Sequence, residues 1–424
     1  HLGCHGIASV HTPHLDQLAA TGARFDRHFC TSPGCSPSRA ALWTGRYPHR
    51  TGVHGLTHRN FLWDLHDDER HFAGILRDNG YRTALAGGYH ESRSKPARLG
   101  YDQWLTDDGA LGFAPAREVA EAAVAHLHRQ SGENHPFFLS VGLFEPHRPF
   151  HYGGIGPDRE KGVAIPDWIP QENDAKKSAA EEEFAALQGA IREMDAQAGR
   201  ILTTLDETGL AENTLVVFTS DHGLAVPRAK CSLYDPGIEI PLLLRHPCEP
   251  AWQGITRSGQ CANIDVAPTL LDLLGITGED ARMDGKSLRP LLDREHAFRS
   301  EIFAEKTYHR DYDPIRCVRT ETHKLIVNFE NNTAYDAPSD IVRSPIFHQS
   351  ATAYTAPRAP VELYDLTADP LEHNNLADDP AAAETRDTLL ERLRSIMKET
   401  DDPLLEAPIH SRYNDWIRSQ IGFA

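Results

Sequence analysis

A cysteine, an arginine and a predicted helix start stand together in the stretch CSPSRAALWTG, which runs from Cys35 to Gly45. Ser36 fits an N-cap, Pro37 fits the first helical position, and Gly45 fits a C-terminal stop. Free backbone N–H groups and the helix dipole attract anions at such a start, and Arg39 comes round one turn later on the same side. The residues alone allow a reactive cysteine at an anion site or an ordinary cysteine at a helix start.

A second candidate site follows the apolar run from Leu215 to Thr219, which predicts a buried strand. Asp221 and His222 come directly after it, and functional side chains of open α/β sheets collect at the carboxyl ends of strands. This position suits a functional site, but Asp-His-Gly after a strand is also an ordinary turn that caps a helix. Both interpretations stay open from these residues alone.

The elements that position these residues alternate along the chain. Apolar periodicity and helix punctuation predict helices over 12–22, 72–80, 117–130 and 178–207, and apolar runs predict strands over 81–86, 137–142 and 215–219. Because the strands are continuously apolar, we expect a mostly parallel sheet sandwiched by helices in a large domain over residues 1–300. Short strands and a helix over 381–398 predict a smaller α+β domain over residues 301–424.

Composition narrows the class of protein. The chain has 424 residues, 40% of them hydrophobic, and a formal net charge of −18, which argues against nucleic acid and acidic membrane surfaces as partners. No run of about 18 apolar residues predicts a membrane span, and the first residues do not look like a signal peptide. Seven scattered cysteines without a CxxC predict mostly buried thiols and favour a reducing, cytoplasmic compartment over a periplasmic or secreted one.

The pattern Cys-x-Pro-Ser-Arg-x-x-x-x-Thr-Gly resembles the signature of the type I sulfatases, members of the alkaline phosphatase superfamily whose cysteine is converted to formylglycine. The resemblance covers nearly the whole chain, because further segments match in the same order: TPHLDQLA from Thr12, EPHR from Glu145, TSDHG from Thr219 and ELYDL from Glu362. Within the family, IPDWIPQ from Ile165 and LYDPG from Leu233 look most like the N-sulfoglucosamine sulfohydrolases. The resemblance implies an alkaline-phosphatase-like α/β fold and hydrolysis of a sulfate ester or sulfamate.

The resemblance also implies a mechanism. Cys35 becomes an aldehyde hydrate that attacks sulfur with one hydroxyl and expels sulfate with the other. A divalent metal assists, and its implied ligands are Asp221, His222 and the modified Cys35. Oxygen ligands suit calcium, whereas His222, where asparagine is commoner, also suits manganese or zinc. The first acidic ligands of the family end a strand that we expect immediately upstream of His1.

Other matched positions complete the implied catalytic set. Arg39 belongs to the signature, His90 matches the histidine that binds the hydrate, and Lys230 matches a cation that contacts sulfate. His147 matches the histidine that protonates the leaving group. The lysine usual two residues before His90 is replaced by Gly88, so another cation must do its work.

His309 and Arg316, in the smaller domain, are expected to reach over the pocket and bind substrate. The implied partners are a small sulfated carbohydrate such as N-sulfoglucosamine and a formylglycine-generating maturation enzyme, and the sequence indicates no oligomeric state. Two alternatives remain. One is a phosphonate monoester or phosphodiester hydrolase of the same superfamily, and the other is a non-catalytic glycan-binding relative, which Gly88 supports.

Overall fold

The computed structural model of the chain describes residues 1–58, 61–106, 113–278, 282–294, 297–333 and 335–420. Helices and strands alternate through the first part, as the sequence predicts. Its helices are α1 Pro13–Ala20, α2 Cys35–Thr44, α3 Pro48–Thr51, α4 Phe72–Asp78, α5 Pro96–Leu99, α6 Ala116–Gln130, α7 Asp174–Glu207, α8 Asp235–Ile238, α9 Val266–Leu273 and α10 Arg289–Asp293. Its strands are β1 Ala23–Phe25, β2 His28–Phe29, β3 Arg82–Gly87, β4 Gln103–Trp104, β5 Phe137–Gly142, β6 Val216–Thr219, β7 Leu242–Arg245, β8 Ile255–Arg257 and β9 Cys261–Ala262.

Local sequence explains the helices that frame the site. α1 begins at Pro13 and buries the apolar stripe that the sequence predicts. α7 begins after Asn173, whose side chain accepts a hydrogen bond from the Lys176 N–H and so caps the helix. α6 packs on both β3 and β5, and it also contacts α7. α6 therefore covers part of the sheet that holds β5, and α7 packs against α6.

Parallel pairing is divided between separate sheets among the described residues. β4, β3 and β5 form an all-parallel sheet in that order. In the second sheet, β6-β7-β1-β8, β7 runs antiparallel to both β6 and β1, while β1 and β8 are parallel. β6, which the sequence predicts as a buried strand of a mostly parallel sheet, is thus an edge strand whose described ladder is antiparallel.

The C-terminal part begins with β10 at Glu301 and forms an antiparallel sheet in the order β10-β11-β12-β13, on which α14 packs. Its strands are β10 Glu301–Tyr308, β11 Tyr312–Thr320, β12 His323–Asn328 and β13 Val361–Asp365. Its helices are α11 Ser339–Val342, α12 Pro345–Gln349, α13 Ala351–Thr355, α14 Ala383–Glu399 and α15 Arg412–Gln420. Residues 421–424 of the predicted smaller domain lie outside the described residues.

The two parts share one apolar core. Phe29, Ala41 and Leu233 of the first part belong to the same buried cluster as Ile302 and Val318 of the C-terminal sheet. The sheet is therefore packed directly against the loops and helix that carry the candidate site. This arrangement lets residues far apart in the chain line one cavity.

A cavity of about 1520 Å³ is lined by β5 and β6, the edge strands of their sheets, and by polar residues that include Cys35, His222 and Lys230. All seven cysteines are free, and five of them are buried, which confirms the prediction of mostly buried thiols. Within the described residues, no helix has the length and apolar character needed to cross a membrane.

Candidate active site

Cys35 is the first residue of α2, not the residue before it. The sequence predicts Ser36 as N-cap, but Gly34 occupies that position with an extended backbone. Ser36 is fully buried, and its hydroxyl accepts a hydrogen bond from the Thr57 N–H instead of capping the helix. The predicted stop is confirmed, since Gly45 has a φ of 66° and donates its N–H to the Ala41 carbonyl. Cys35 therefore lies within the first turn, where unpaired N–H groups attract anions.

Asp221 and His222 meet Cys35 just beyond the end of β6. The Sγ of Cys35 lies 3.2 Å from Nε2 of His222. Arg39 donates from Nε to Oδ2 of Asp221 at 2.9 Å, and the His222 N–H donates to Oδ1 at 3.0 Å. The Ser38 hydroxyl also donates to the Asp221 carbonyl. The start of α2 and the turn after β6 are thus bonded into one unit.

Lys230 and His147 form the second side of the site. The Lys230 Nζ donates to Nε2 of His147 at 3.0 Å, while Nδ1 of His147 donates to the Arg148 carbonyl at 2.6 Å. The loop that holds Lys230 has left-handed backbone at two non-glycine residues, Arg228 with a φ of 64° and Cys231 with a φ of 67°. Such strain persists only where surrounding contacts fix the backbone, and here it places a lysine that is 2% exposed.

The charges around Cys35 favour its anionic form. Burial raises the pKa of the Cys35 thiol, but the positive charges of Lys230 and His222 and hydrogen bonds from His147 and His222 outweigh burial and hold that pKa well below its ordinary range. Burial lowers the pKa of His222, yet the nearby Asp221 and Cys35 charges raise it overall. The site is therefore built to surround a negative group at position 35 with cations.

His90 and Arg39 lie in the wall of the same cavity. The His90 N–H donates to Oε2 of Glu91 at 2.8 Å, and the Thr57 hydroxyl donates to the His90 carbonyl at 2.9 Å. The ring of His90 lies beside that of His58, with centroids 4.5 Å apart. Backbone contacts on both sides therefore fix where His90 projects.

Of the two residues expected from the smaller part, the structure brings only His309 to the cavity. His309 is 7% exposed, and its Nδ1 has no hydrogen-bond partner in the described part of the chain. Burial and the charge of Lys230 hold the pKa of His309 well below its ordinary value, so the imidazole is neutral. A neutral ring with an unpaired nitrogen suits contact with a substrate.

Arg316 does not join this cluster, contrary to the expectation that it reaches over the pocket. It lies on β11 with its side chain fully buried, and it donates from Nε and the second terminal nitrogen to the two oxygens of Asp402 at 2.6 and 3.1 Å. Its other terminal nitrogen donates to the Lys306 carbonyl at 3.0 Å. These internal bonds leave its guanidinium directed into the core of the C-terminal sheet, away from any substrate.

Cys35, Asp221 and His222 also form a candidate metal centre, because one ligand atom from each lies within 4.8 Å of the others. Nδ1 of His222 donates to the Gly223 carbonyl at 2.8 Å, so Nε2 is the nitrogen that faces Cys35 and that would offer its lone pair to a cation once deprotonated. Metal-binding histidines are commonly fixed in this way through their second nitrogen. The donor set of a carboxylate, an imidazole and the side chain at position 35 therefore fits a divalent cation.

Two further polar residues contribute to the site and were not predicted from the sequence. Asn263 is 1% exposed, and its amide donates to both the carbonyl and the hydroxyl of Ser38 at 3.0 Å, which fixes the first turn of α2. Asp340 lines the cavity, with Oδ2 at 3.4 Å from Nζ of Lys230. Neither has a neighbouring motif that marks it, since both reach the site only through the tertiary fold.

Comparison with known proteins agrees with this geometry. The sulfatase family model matches residues 1–276, and the model described as N-sulphoglucosamine sulphohydrolase, C-terminal, matches residues 223–345. The chain is 30% identical to human N-sulphoglucosamine sulphohydrolase, over 96% of this chain and 89% of the relative. It is 30% identical to human arylsulfatase A, over 90% of this chain and 82% of the relative.

Solved structures show the same fold. A protein in complex with its substrate D-glucosamine-2-N,6-O-disulfate has a TM-score of 0.71 at 20% identity, with 96% of each chain covered. The phosphonate monoester hydrolase of Agrobacterium radiobacter also has a TM-score of 0.71, at 22% identity over 94% of this chain and 93% of that one. The predicted alkaline-phosphatase-like α/β class with a smaller C-terminal unit is confirmed. Together with the family-model match and the relatives above, the chain therefore belongs to the sulfatase family and is a sulfuric ester or sulfamate hydrolase.

Proposed function

We propose that the chain removes sulfate from a small sulfated sugar, with N-sulfoglucosamine as the leading candidate, through a formylglycine made from Cys35 by a maturation enzyme. The observation that carries the proposal is the buried convergence of Lys230, His147 and His222 on Cys35 in the wall of the cavity. The match to the C-terminal N-sulphoglucosamine sulphohydrolase model and the neighbour bound to a glucosamine disulfate support a sugar substrate.

The modification of Cys35 is needed because a thiolate that attacked the sulfate sulfur would remain in a covalent adduct, with no second hydroxyl to expel sulfate. Sγ of Cys35 marks where the two oxygens of the aldehyde hydrate would stand. One hydrate oxygen attacks the sulfate sulfur, and the bond from sulfur to the sugar oxygen or nitrogen breaks. The second hydroxyl then loses its proton, its carbon–oxygen bond becomes the aldehyde double bond, and sulfate leaves with the first oxygen. Water restores the hydrate, so no water attacks sulfur.

The described residues have distinct parts in this sequence. His147 is held by the Arg148 carbonyl at Nδ1, which directs Nε2 towards Lys230, and we assign that Nε2, once protonated, as the atom that gives a proton to the leaving oxygen or nitrogen. Lys230 lies 3.0 Å from that Nε2 and provides a positive charge for the sulfate oxygens. Lys230 is thus placed to supply the cationic function that the glycine at position 88 cannot. His309 and His90 line the pocket around the reacting group.

Asp221, His222 and the modified side chain at position 35 would hold a divalent cation, which would supply Lewis-acid stabilisation of negative charge. Calcium is our candidate because conversion of Cys35 replaces a sulfur ligand by oxygen, although the imidazole of His222 is equally suited to manganese or zinc. Activity should disappear on chelation and return most fully with calcium. Recovery with manganese or zinc but not with calcium would contradict the choice of metal, not the reaction.

A substrate panel tests the reaction class. The matured protein should hydrolyse N-sulfoglucosamine, glucosamine 6-sulfate and 4-nitrophenyl sulfate faster than bis(4-nitrophenyl) phosphate or a phenylphosphonate monoester, when each is compared by kcat/KM. Faster cleavage of the phosphorus esters would favour the phosphonate or phosphodiester hydrolase alternative. Tight sugar binding with no turnover by protein that carries formylglycine would favour a non-catalytic relative.

A further inference from the structure

Asp340 is an acidic side chain in the wall of the cavity that holds the cationic site. It stands in α11 next to Ile341, which is fully buried in the core. Its Oδ2 lies 3.4 Å from Nζ of Lys230. A carboxylate beside cations that bind sulfate repels the sulfate electrostatically. Its presence therefore calls for a role other than binding the anion.

The segment that carries Asp340 is fixed by contacts that do not involve its own carboxylate. The Tyr335 hydroxyl donates to the carbonyl of Lys230. The Ser344 hydroxyl donates at 2.5 Å to Glu183, a buried residue of α7. The backbone of Asp340 is therefore held in place relative to Lys230 on one side and α7 on the other.

Lys230 uses little of the hydrogen-bonding capacity of this carboxylate. A distance of 3.4 Å is long for a bond between an ammonium and a carboxylate, which is ordinarily about 2.7–2.9 Å. Besides Lys230, the donor to this carboxylate among the described residues is the N–H of Asp340 itself. A carboxylate can accept about four hydrogen bonds. Because Asp340 lines the cavity and 26% of its side chain is exposed, the carboxylate is accessible to a molecule bound there.

Lys230 lies closer to His147 than to Asp340. Its Nζ donates to Nε2 of His147 at 3.0 Å. Burial lowers the pKa of the Lys230 ammonium, but the charges of Cys35 and, to a smaller extent, Asp340 raise it above its ordinary value. A role for Asp340 as the main support of Lys230 is thus the weaker explanation.

We infer that Asp340 is a specificity residue whose carboxylate accepts hydrogen bonds from hydroxyl or amino groups of the sugar that bears the sulfate. The inference rests on the proposed function, since it assigns the sugar half of the same substrate. The cations of the site pair with the sulfate, and an acceptor beside them pairs with the donors that a sugar carries and an inorganic anion lacks. Sites built to bond a substrate hydroxyl or amine discriminate strongly against molecules without one.

Binding measured without turnover tests this role. The unmodified Cys35 protein is titrated calorimetrically with N-sulfoglucosamine and with inorganic sulfate. Asp340→Ala should weaken binding of N-sulfoglucosamine by about 10- to 100-fold, the usual worth of a hydrogen bond to a charged group. Asp340→Asn keeps the shape and one acceptor, so its loss should be smaller. Both variants should bind inorganic sulfate as well as the wild type or more tightly, because a negative charge has been removed.

Glu182→Gln is the matched control, because it removes one negative charge from the exposed face of α7 and should leave both affinities unchanged. Equal weakening of sugar and sulfate in the Asp340 variants would overturn the inference and indicate a positioning role for Lys230. Unchanged sugar affinity, or a wild type that binds the sugar no better than sulfate, would also overturn it. If the proposed function itself is wrong, the matured wild type will not hydrolyse the sulfated sugars, and that result is independent of the binding measurements on the Asp340 variants.

Discussion

Two buried clusters in this molecule contain nearly the same residue types but differ in access. The first joins Cys35, Asp221 and His222, and the second joins His49, Glu305 and Asp402. Each could by composition hold a metal ion. The first opens to the cavity, since the side chain of Asp221 is 19% exposed, whereas the side chains of the second cluster are 0–2% exposed.

The second cluster is closed by its own ion pairs. Arg316 bonds both oxygens of Asp402 and lies 3.3 Å from Glu305, while His49 donates from Nδ1 to Glu305 at 2.9 Å. Nε2 of His49 donates to the Thr400 carbonyl at 3.0 Å. Arg316 and a His49 that donates from both ring nitrogens already balance the charges of the two carboxylates, which leaves no need for a metal cation. The comparison shows that access to a cavity separates a reactive cluster from a structural one, because the residue types do not.

The largest expected effect comes from removing the nucleophile of the open cluster. Cys35→Ala should lower kcat/KM by about 10⁴-fold or more, because no hydrate can form. Its unfolding free energy should change little, since the side chain is small and its partners are cations that still face the cavity. Steady-state kinetics with 4-nitrophenyl sulfate and urea unfolding measure the two quantities. Cys248→Ala, which changes an exposed cysteine, is the control and should retain full activity.

The second largest effect distinguishes His147, as the general acid, from the other cationic residues of the site. His147→Ala should lower kcat by about 10²- to 10⁴-fold for a sugar sulfate, where the leaving group needs a proton. The loss should be smaller for 4-nitrophenyl sulfate, whose leaving group departs readily as an anion. His151→Ala, an exposed neighbour, should behave as the wild type. Equal losses on both substrates would show that His147 is not the acid.

A substitution in the closed cluster of His49, Glu305 and Asp402 should lower stability and leave activity unchanged, which is the reverse of the result expected for Cys35→Ala. Arg316→Met removes one of the two positive charges that face the buried carboxylates, so the unfolding free energy should fall by about 3–5 kcal/mol. The kcat/KM of the protein that remains folded should be close to that of the wild type. Arg98→Met, which breaks an exposed ion pair with Asp67, should change stability little. A large change in KM for Arg316→Met without loss of stability would restore its predicted role in substrate binding.

The smallest expected effect is a dependence of stability on pH. Burial raises the pKa of Glu305, but His49 and Arg316 outweigh it and lower that pKa from 4.5 to about 2. A depressed carboxyl pKa contributes stability that is complete above the unfolded value, near 4.5, and is lost as the pH falls towards 2. The difference in unfolding free energy between the wild type and Glu305→Gln should therefore be constant between about pH 5 and 6 and shrink below 4.5. The exposed control Glu321→Gln should show no such window, and a difference that grows on acidification would contradict the assignment.

The sequence predicted the residues that sit in local motifs better than those placed by the sheets. The apolar run before Asp221 and the signature around Cys35 led to side chains that the structure brings together. Arg316 lies on a strand, and only its pairing with β10 and β12 decides which side it faces. Asp340 comes from a four-residue helix with no chemical pattern around it. The positions of Arg316 and Asp340 depend on tertiary packing, which local sequence patterns do not reveal.

The start of α2 shows the same limit on a smaller scale. Serine before proline is a strong N-cap pattern, but the Ser36 hydroxyl bonds the Thr57 N–H across the fold, and the helix begins at Cys35 after Gly34. A long-range contact therefore overrode a local preference. The shift moves Cys35 into the first turn of the helix, which strengthens the case for an anion at that position.

The most direct test of the central claim is the mass of the peptide that contains Cys35, from protein produced together with a formylglycine-generating enzyme. The account predicts that the sulfur of Cys35 is replaced by the oxygen of an aldehyde in protein that releases sulfate. Full sulfatase activity from protein whose Cys35 is entirely unmodified would contradict it.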